Sequence, residues 1–81
     1  MARMPEPRQF HLVVANLIAG VLIDLADELY AVTWPGGRVL ASGIFDERFQ
    51  EVVDAFQAAG FVVIGASTDG DWHSLELTRG V

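Results

Sequence analysis

Asp24, Asp27 and Glu28 gather three carboxylates in one short stretch, and oxygen donors of that kind are what Mg²⁺ or Ca²⁺ takes. They sit off the apolar stripe of a helical pattern, however, so they read as a solvated helix face. Asp69 and Asp71 flank Gly70 and are explained by turn chemistry. Ser42, Ser67 and Ser74 supply hydroxyls, and His11 and His73 are the two imidazoles. Both histidines fall in strand-like segments with no evident orienting acid, so a nucleophilic triad is not inferred. His73, in an alternating segment, is expected to be structural. Gly36-Gly37 follows a helical pattern and precedes a strand pattern, the reverse of the strand-to-helix context of a phosphate or nucleoside loop. It reads as a plain turn.

The elements that would position these groups follow from the hydrophobic period. Phe10 to Ala15 is a nearly continuous apolar run, the pattern of a strand buried on both faces. Ile18, Leu22, Leu25, Leu29 and Val32 then recur at helical spacing. That helix must stop before Pro35, in a Trp34-Pro35-Gly36-Gly37 turn. A second strand is predicted over Arg38–Ser42. A second helix follows, with Phe45, Phe49, Val52, Val53 and Phe56 inward and Gly60 as its C-terminal cap. Phe61–Ile64 is a third strand, and Thr68-Asp69-Gly70-Asp71 turns the chain into a fourth, Trp72–Thr78. The order is strand, helix, strand, helix, strand, strand. Residues 1–9, with two prolines and no apolar core, read as a flexible leader rather than a secretory signal.

Composition narrows the function. The chain has 81 residues, no cysteine, five arginines, no lysine and a net charge of −6. Disulfides, thiolate metal sites, Schiff-base chemistry and a P-loop lysine are excluded. No basic stripe is available to neutralise phosphates, so nucleic acid is not an expected partner. The longest apolar stretch, Leu12–Ile23, is too short and too interrupted to span a membrane. The absence of cysteine fits a cytoplasmic setting. The hydrophobic fraction is 52%, high enough to require a packed or partner-covered domain.

If both crossovers run in the same direction, their right-handedness places both helices on one face of the sheet, which leaves the other face bare. Strands that look buried on both sides then lack half their cover. The fold class read from this is α/β, half of a doubly wound Rossmann-like sheet with both helices on one side. Such a unit must pair with an upstream half or dimerise.

Several segments appear in a characteristic order: Phe10-His11-Leu12-Val13-Val14-Ala15-Asn16-Leu17, Pro35-Gly36-Gly37-Arg38, Ser42-Gly43-Ile44, Ala58-Ala59-Gly60-Phe61 and Gly70-Asp71-Trp72. From Phe10 onward the chain resembles the C-terminal half of the ribosomal protein L11 methyltransferases, class I enzymes that depend on S-adenosylmethionine. In that family a glycine-rich loop after the first strand and an acidic residue after the second hold the cofactor, and neither has a counterpart in this sequence. The resemblance therefore implies S-adenosylmethionine for the complete fold and none for this chain alone. It implies a substrate-binding role for Asn16 and Leu17, with the Asn16 carbonyl orienting a target amine; the alternative is that Asn16 only caps the next helix. His11 stands where the family has aspartate, and Trp34 where a basic residue is common. Trp34 is expected to be structural beside its turn, with a contact surface as the alternative. Two functions follow: a partial ribosomal-protein methyltransferase that is inactive alone, or a non-catalytic remnant that self-associates as a homodimer.

Overall fold

A computed structural model describes residues 9–80. The residues before Gln9 lie outside the described residues, and with them most of the expected leader. Four strands and two helices follow one another as β1 (Phe10–Asn16), α1 (Ala19–Val32), β2 (Thr33–Phe45), α2 (Phe49–Ala59), β3 (Phe61–Asp69) and β4 (Trp72–Arg79), with a single 3₁₀ turn at Asp46–Arg48 leading into α2. The sheet order is β1-β2-β4-β3. β1 runs parallel to β2, whereas β4 is antiparallel to both β2 and β3. The sheet is therefore mixed, with β1 and β3 at its edges.

Local chemistry sets the boundaries. The helix α1 starts from an extended Ile18, whose carbonyl accepts from the Val21 and Leu22 amides at 3.0 Å. It ends at Thr33, whose hydroxyl donates to the Leu29 carbonyl at 2.7 Å, just ahead of Pro35. The end of α2 is set by Gly60 at φ 116°, a conformation that favours glycine. A Cβ there would also lie 2.8 Å from the Tyr30 ring. Gly70 (φ 61°) and Asp71 form the two-residue connection between β3 and β4. Positive φ at the first of the two positions alone is the pattern of a type II′ hairpin.

Trp34–Gly37 differs from the simple turn expected. The residues lie within β2, but pairing with β1 jumps from Phe10↔Thr33 to Leu12↔Arg38. The surplus residues loop out of the ladder, with Gly36 at φ 82°. Turn and strand are thus one segment. Trp34 is half-exposed, its ring 5.6 Å from that of His11.

One apolar cluster joins both helices to one side of the sheet: Leu22 and Ala26 from α1, Val52 and Phe56 from α2, and Val39, Ile44, Leu75 and Leu77 from the strands. The buried stripe of α1 is rotated from the expected one. Ala19, Leu22 and Ala26 face the sheet, while Ile18 and Leu25 are exposed. The small alanines let the helix seat closely where two larger side chains would crowd the interface. Phe45 is likewise exposed rather than part of the α2 stripe.

Among the described residues, no helix lies over the opposite face of the sheet. Leu12, Val14, Leu40, Val62 and Ile64 lie open there, Val14 at 67% and Ile64 at 47% exposure. An Arg38–Glu76 ion pair, 2.9 Å long, crosses the same side. A contiguous apolar surface of this kind is what a missing layer or a partner would cover.

Candidate functional site

β1 ends at Asn16, paired to Ser42 of the parallel β2, which runs on to Phe45. Open α/β sheets bind ligands at the carboxyl ends of their strands. Here the edge carries a distinct irregularity. Pairing of β2 with β4 steps from Ala41↔Leu75 to Ile44↔His73, so Ser42-Gly43 holds one extra residue, a β-bulge of the sort that re-aims side chains at sheet rims. Gly43 sits at φ 78°, and a Cβ built on it would lie 2.5 Å from Asn16 Oδ1. The Asn16 carboxamide thus rests over bare backbone that only glycine leaves free.

Asn16 is exposed, and the N-cap of α1 is Ile18, which makes no side-chain capping bond. Its carboxamide is therefore not spent on the helix end. Leu17 follows, also exposed. Beside them a shallow pocket of about 340 Å³ is lined by Ile18, Ala19, Gly20, Gly43, Phe45, Arg48 and Trp72. The Phe45 and Trp72 rings meet edge to face at 5.0 Å.

His73 anchors this corner. Its Nε2 lies 2.7 Å from Asp46 Oδ1, and its ring stacks on Phe49 at 4.3 Å. The Asp46 amide donates to the Asp71 carbonyl at 2.8 Å, so the 3₁₀ turn is tied to the β3–β4 hairpin twice. The imidazole serves as a strut, as its place in the alternating strand suggested. No serine partners it. Ser42, Ser67 and Ser74 instead line a separate hollow of about 510 Å³ with Val14, Leu40 and Glu76, on the open face of the sheet.

The other sequence candidates disperse. Asp24, Asp27 and Glu28 are exposed on α1, and among the described residues no three acids or histidines are grouped to hold a metal. Gly36-Gly37 lies at the far end of β1 from Asn16. Gly37 is required there because a Cβ would meet the Trp34 carbonyl at 2.8 Å and the His11 carbonyl at 3.1 Å. Phe45, Trp72 and the clearance at Gly43 are the parts of the site that sequence reasoning missed. The available signal was a glycine at the end of an apolar strand, which marks a bulge or a close approach.

The model of the family described as ribosomal protein L11 methyltransferase (PrmA) matches residues 1–80. The chain belongs to that family. Ribosomal protein L11 methyltransferase of Chloroflexus aurantiacus is 46% identical over 70 residues, which are 86% of this chain but 21% of that protein. The chain thus spans about a fifth of the length of this relative. The crystal structure of ribosomal protein L11 methylase from Lactobacillus delbrueckii subsp. bulgaricus superimposes with a TM-score of 0.84 at 29% identity, over 90% of this chain and 38% of that one. The T. thermophilus 16S rRNA methyltransferase RsmC, in complex with AdoMet and guanosine, shares the fold at a TM-score of 0.67 and 21% identity, over 90% of this chain and 21% of that one.

For this member of the L11 methyltransferase family, the described residues do not fit a S-adenosylmethionine cradle. A nucleoside loop needs glycines whose missing Cβ lets the ligand approach a strand-to-helix turn. Among the described residues, β1 enters α1 through Leu17-Ile18 and β2 enters α2 through Asp46-Glu47-Arg48, so neither strand-to-helix connection carries a glycine, and the space over Gly43 is filled by Asn16. Among the described residues, no helix is long and apolar enough to cross a membrane.

Proposed function

We propose that the chain is the substrate-facing, C-terminal portion of a ribosomal-protein methyltransferase, inactive alone, whose cofactor-binding half comes from a segment that covers the open sheet face. In this reading it is half of a doubly wound sheet. The observation that carries it is the uncovered apolar face formed by Leu12, Val14, Leu40, Val62 and Ile64. The family match over about a fifth of a relative's length supports the same reading.

Asn16 orients the substrate amine. Its Oδ1 accepts a hydrogen bond from an amine N–H, which fixes the nitrogen and leaves the lone pair free to face a methyl donor. Methyl transfer depends largely on such positioning. Leu17 forms the adjoining wall. Both residues stand at the carboxyl edge, and the Asn16 carboxamide is not engaged as a helix cap. S-adenosylmethionine is the donor of the complete fold; this chain's residues do not supply its cradle. A ribosomal protein as substrate and the lack of cysteine both support a cytoplasmic location.

The test is a split reconstitution, in which the chain is mixed with the complementary part of the C. aurantiacus relative and methyl transfer to ribosomal protein is followed with labelled donor. Transfer that needs both parts, and falls by roughly tenfold to a hundredfold with Asn16→Ala, is expected. Transfer unaffected by Asn16→Ala refutes the assigned role. Tight calorimetric binding of S-adenosylmethionine by the chain alone refutes the missing cradle. The second reading, a non-catalytic homodimer closed by its own open faces, is favoured by the same apolar surface; a folded monomer at micromolar concentration excludes it.

A further inference from the structure

We infer that the pocket beside Asn16 is a docking site for a cationic side chain, lysine or arginine, of the polypeptide that presents the target amine. The inference rests on the amine-positioning reading of Asn16 for its location, and on independent features for its occupant. Trp72 is 52% exposed and Ile18 72%, unusual openness for two large apolar groups that share one concavity. Phe45 meets Trp72 edge to face at 5.0 Å. With half of Trp72 exposed, indole surface stays open, and an indole face attracts ammonium and guanidinium groups.

Charge around the pocket selects the same occupant. The 3₁₀ turn contributes Asp46 and Glu47, and the hairpin before Trp72 contributes Asp69 and Asp71, all exposed. The Asp46–Asp71 backbone bond holds these two segments together. Arg48, the charged side chain that lines the pocket, is paired at the surface with Glu51, which accepts from its Nε and Nη2 at 3.1 Å each. His73 offsets Asp46 only when protonated. A basic segment is therefore attracted, and an acidic one repelled.

Gly43 lines the pocket and also lies under the Asn16 carboxamide, so the docking site adjoins the place where the amine is held. A chain crossing from one to the other would present a cationic residue next to the modified one.

Calorimetric titration of the whole chain with a blocked pentapeptide of alternating alanine and lysine tests this. Saturable binding is expected that weakens at least several-fold between ~0.05 and ~0.5 M salt. It should weaken by roughly tenfold in Trp72→Leu, which keeps apolar bulk but removes the ring. Asp71→Asn should weaken it several-fold and serves as the second variant if Trp72→Leu fails to fold by circular dichroism. The same peptide with acetylated lysines should not bind. Equal binding of the acetylated peptide, or affinity unchanged in both variants, overturns the inference. Peptide binding requires no methyl donor, so its failure beside an Asn16-dependent reconstitution sinks this inference alone.

Discussion

Gly43→Ala combined with Asn16→Ala probes the packing of the site's central residue. Alanine at position 43 must adopt φ near 78°, which costs about 1–2 kcal/mol for a residue with a Cβ. It must also displace Asn16 Oδ1, which would otherwise lie 2.5 Å from the new methyl group, well inside van der Waals contact. Driving the carboxamide from its rotamer adds roughly 0.5–1.5 kcal/mol. The single variant should lose about 2–3 kcal/mol. At ~4–8 °C per kcal/mol for a domain this small, its melting midpoint should fall by at least ~8 °C. Asn16→Ala alone should change stability by less than about 0.5 kcal/mol, because the side chain is exposed and caps nothing. In the double variant the clash is gone and only the backbone strain remains, so a coupling of about 1 kcal/mol should appear. Urea unfolding at one fixed protein concentration, followed by far-ultraviolet circular dichroism, supplies the four stabilities of the cycle. Additivity within ~0.5 kcal/mol would refute the claim that Gly43 is kept bare for the Asn16 carboxamide.

Arg79 ties the last strand to the end of α1. It donates to the Tyr30 carbonyl at 3.1 Å and the Thr33 carbonyl at 2.9 Å, and its guanidinium lies 4.3 Å from the Tyr30 ring centroid. Arg79→Ala should destabilise by about 2 kcal/mol in chemical denaturation, and Arg79→Lys should recover only part, because one ammonium cannot reproduce the planar fork. Val14→Lys with Ile64→Lys, on the open face, should lower self-association measured by light scattering while leaving the circular dichroism spectrum unchanged. Association that persists would place the contact elsewhere.

The sequence made the element order legible wherever the determining signal is local. The run through Phe10–Ala15 became β1, Gly60 capped α2 in the left-handed conformation, and Asp69-Gly70-Asp71 turned β3 into β4. The open sheet face was also readable, because right-handed crossovers that run in one direction put both helices on one side and the strands carried apolar residues on both sides. Errors arose where packing between elements decides. Ile18 and Leu25 matched the helical period of α1, but the smaller Ala19 and Ala26 were buried instead. Trp34–Gly37 carried every turn signal, yet it loops out within a strand because β1 continues to pair on either side of it.

The candidate site was half legible. Asn16 and Leu17 came from a family resemblance, and their position at the carboxyl edge agrees with the parallel pairing of β1 and β2. The bulge at Gly43 depends on the register with β4, some thirty residues away along the chain, and no local pattern encodes such a register. Phe45 was misplaced for the same reason. Its spacing suits the α2 stripe, but the 3₁₀ turn at Asp46–Arg48 intervenes and leaves the ring against Trp72.

Sedimentation velocity on the chain, alone and mixed with the complementary part of the C. aurantiacus relative, bears most directly on the claim that its apolar sheet face needs a cover. A one-to-one complex with that part, in place of self-associated species, is the predicted result. A well-folded monomer at micromolar concentration that ignores the complementary part would contradict it.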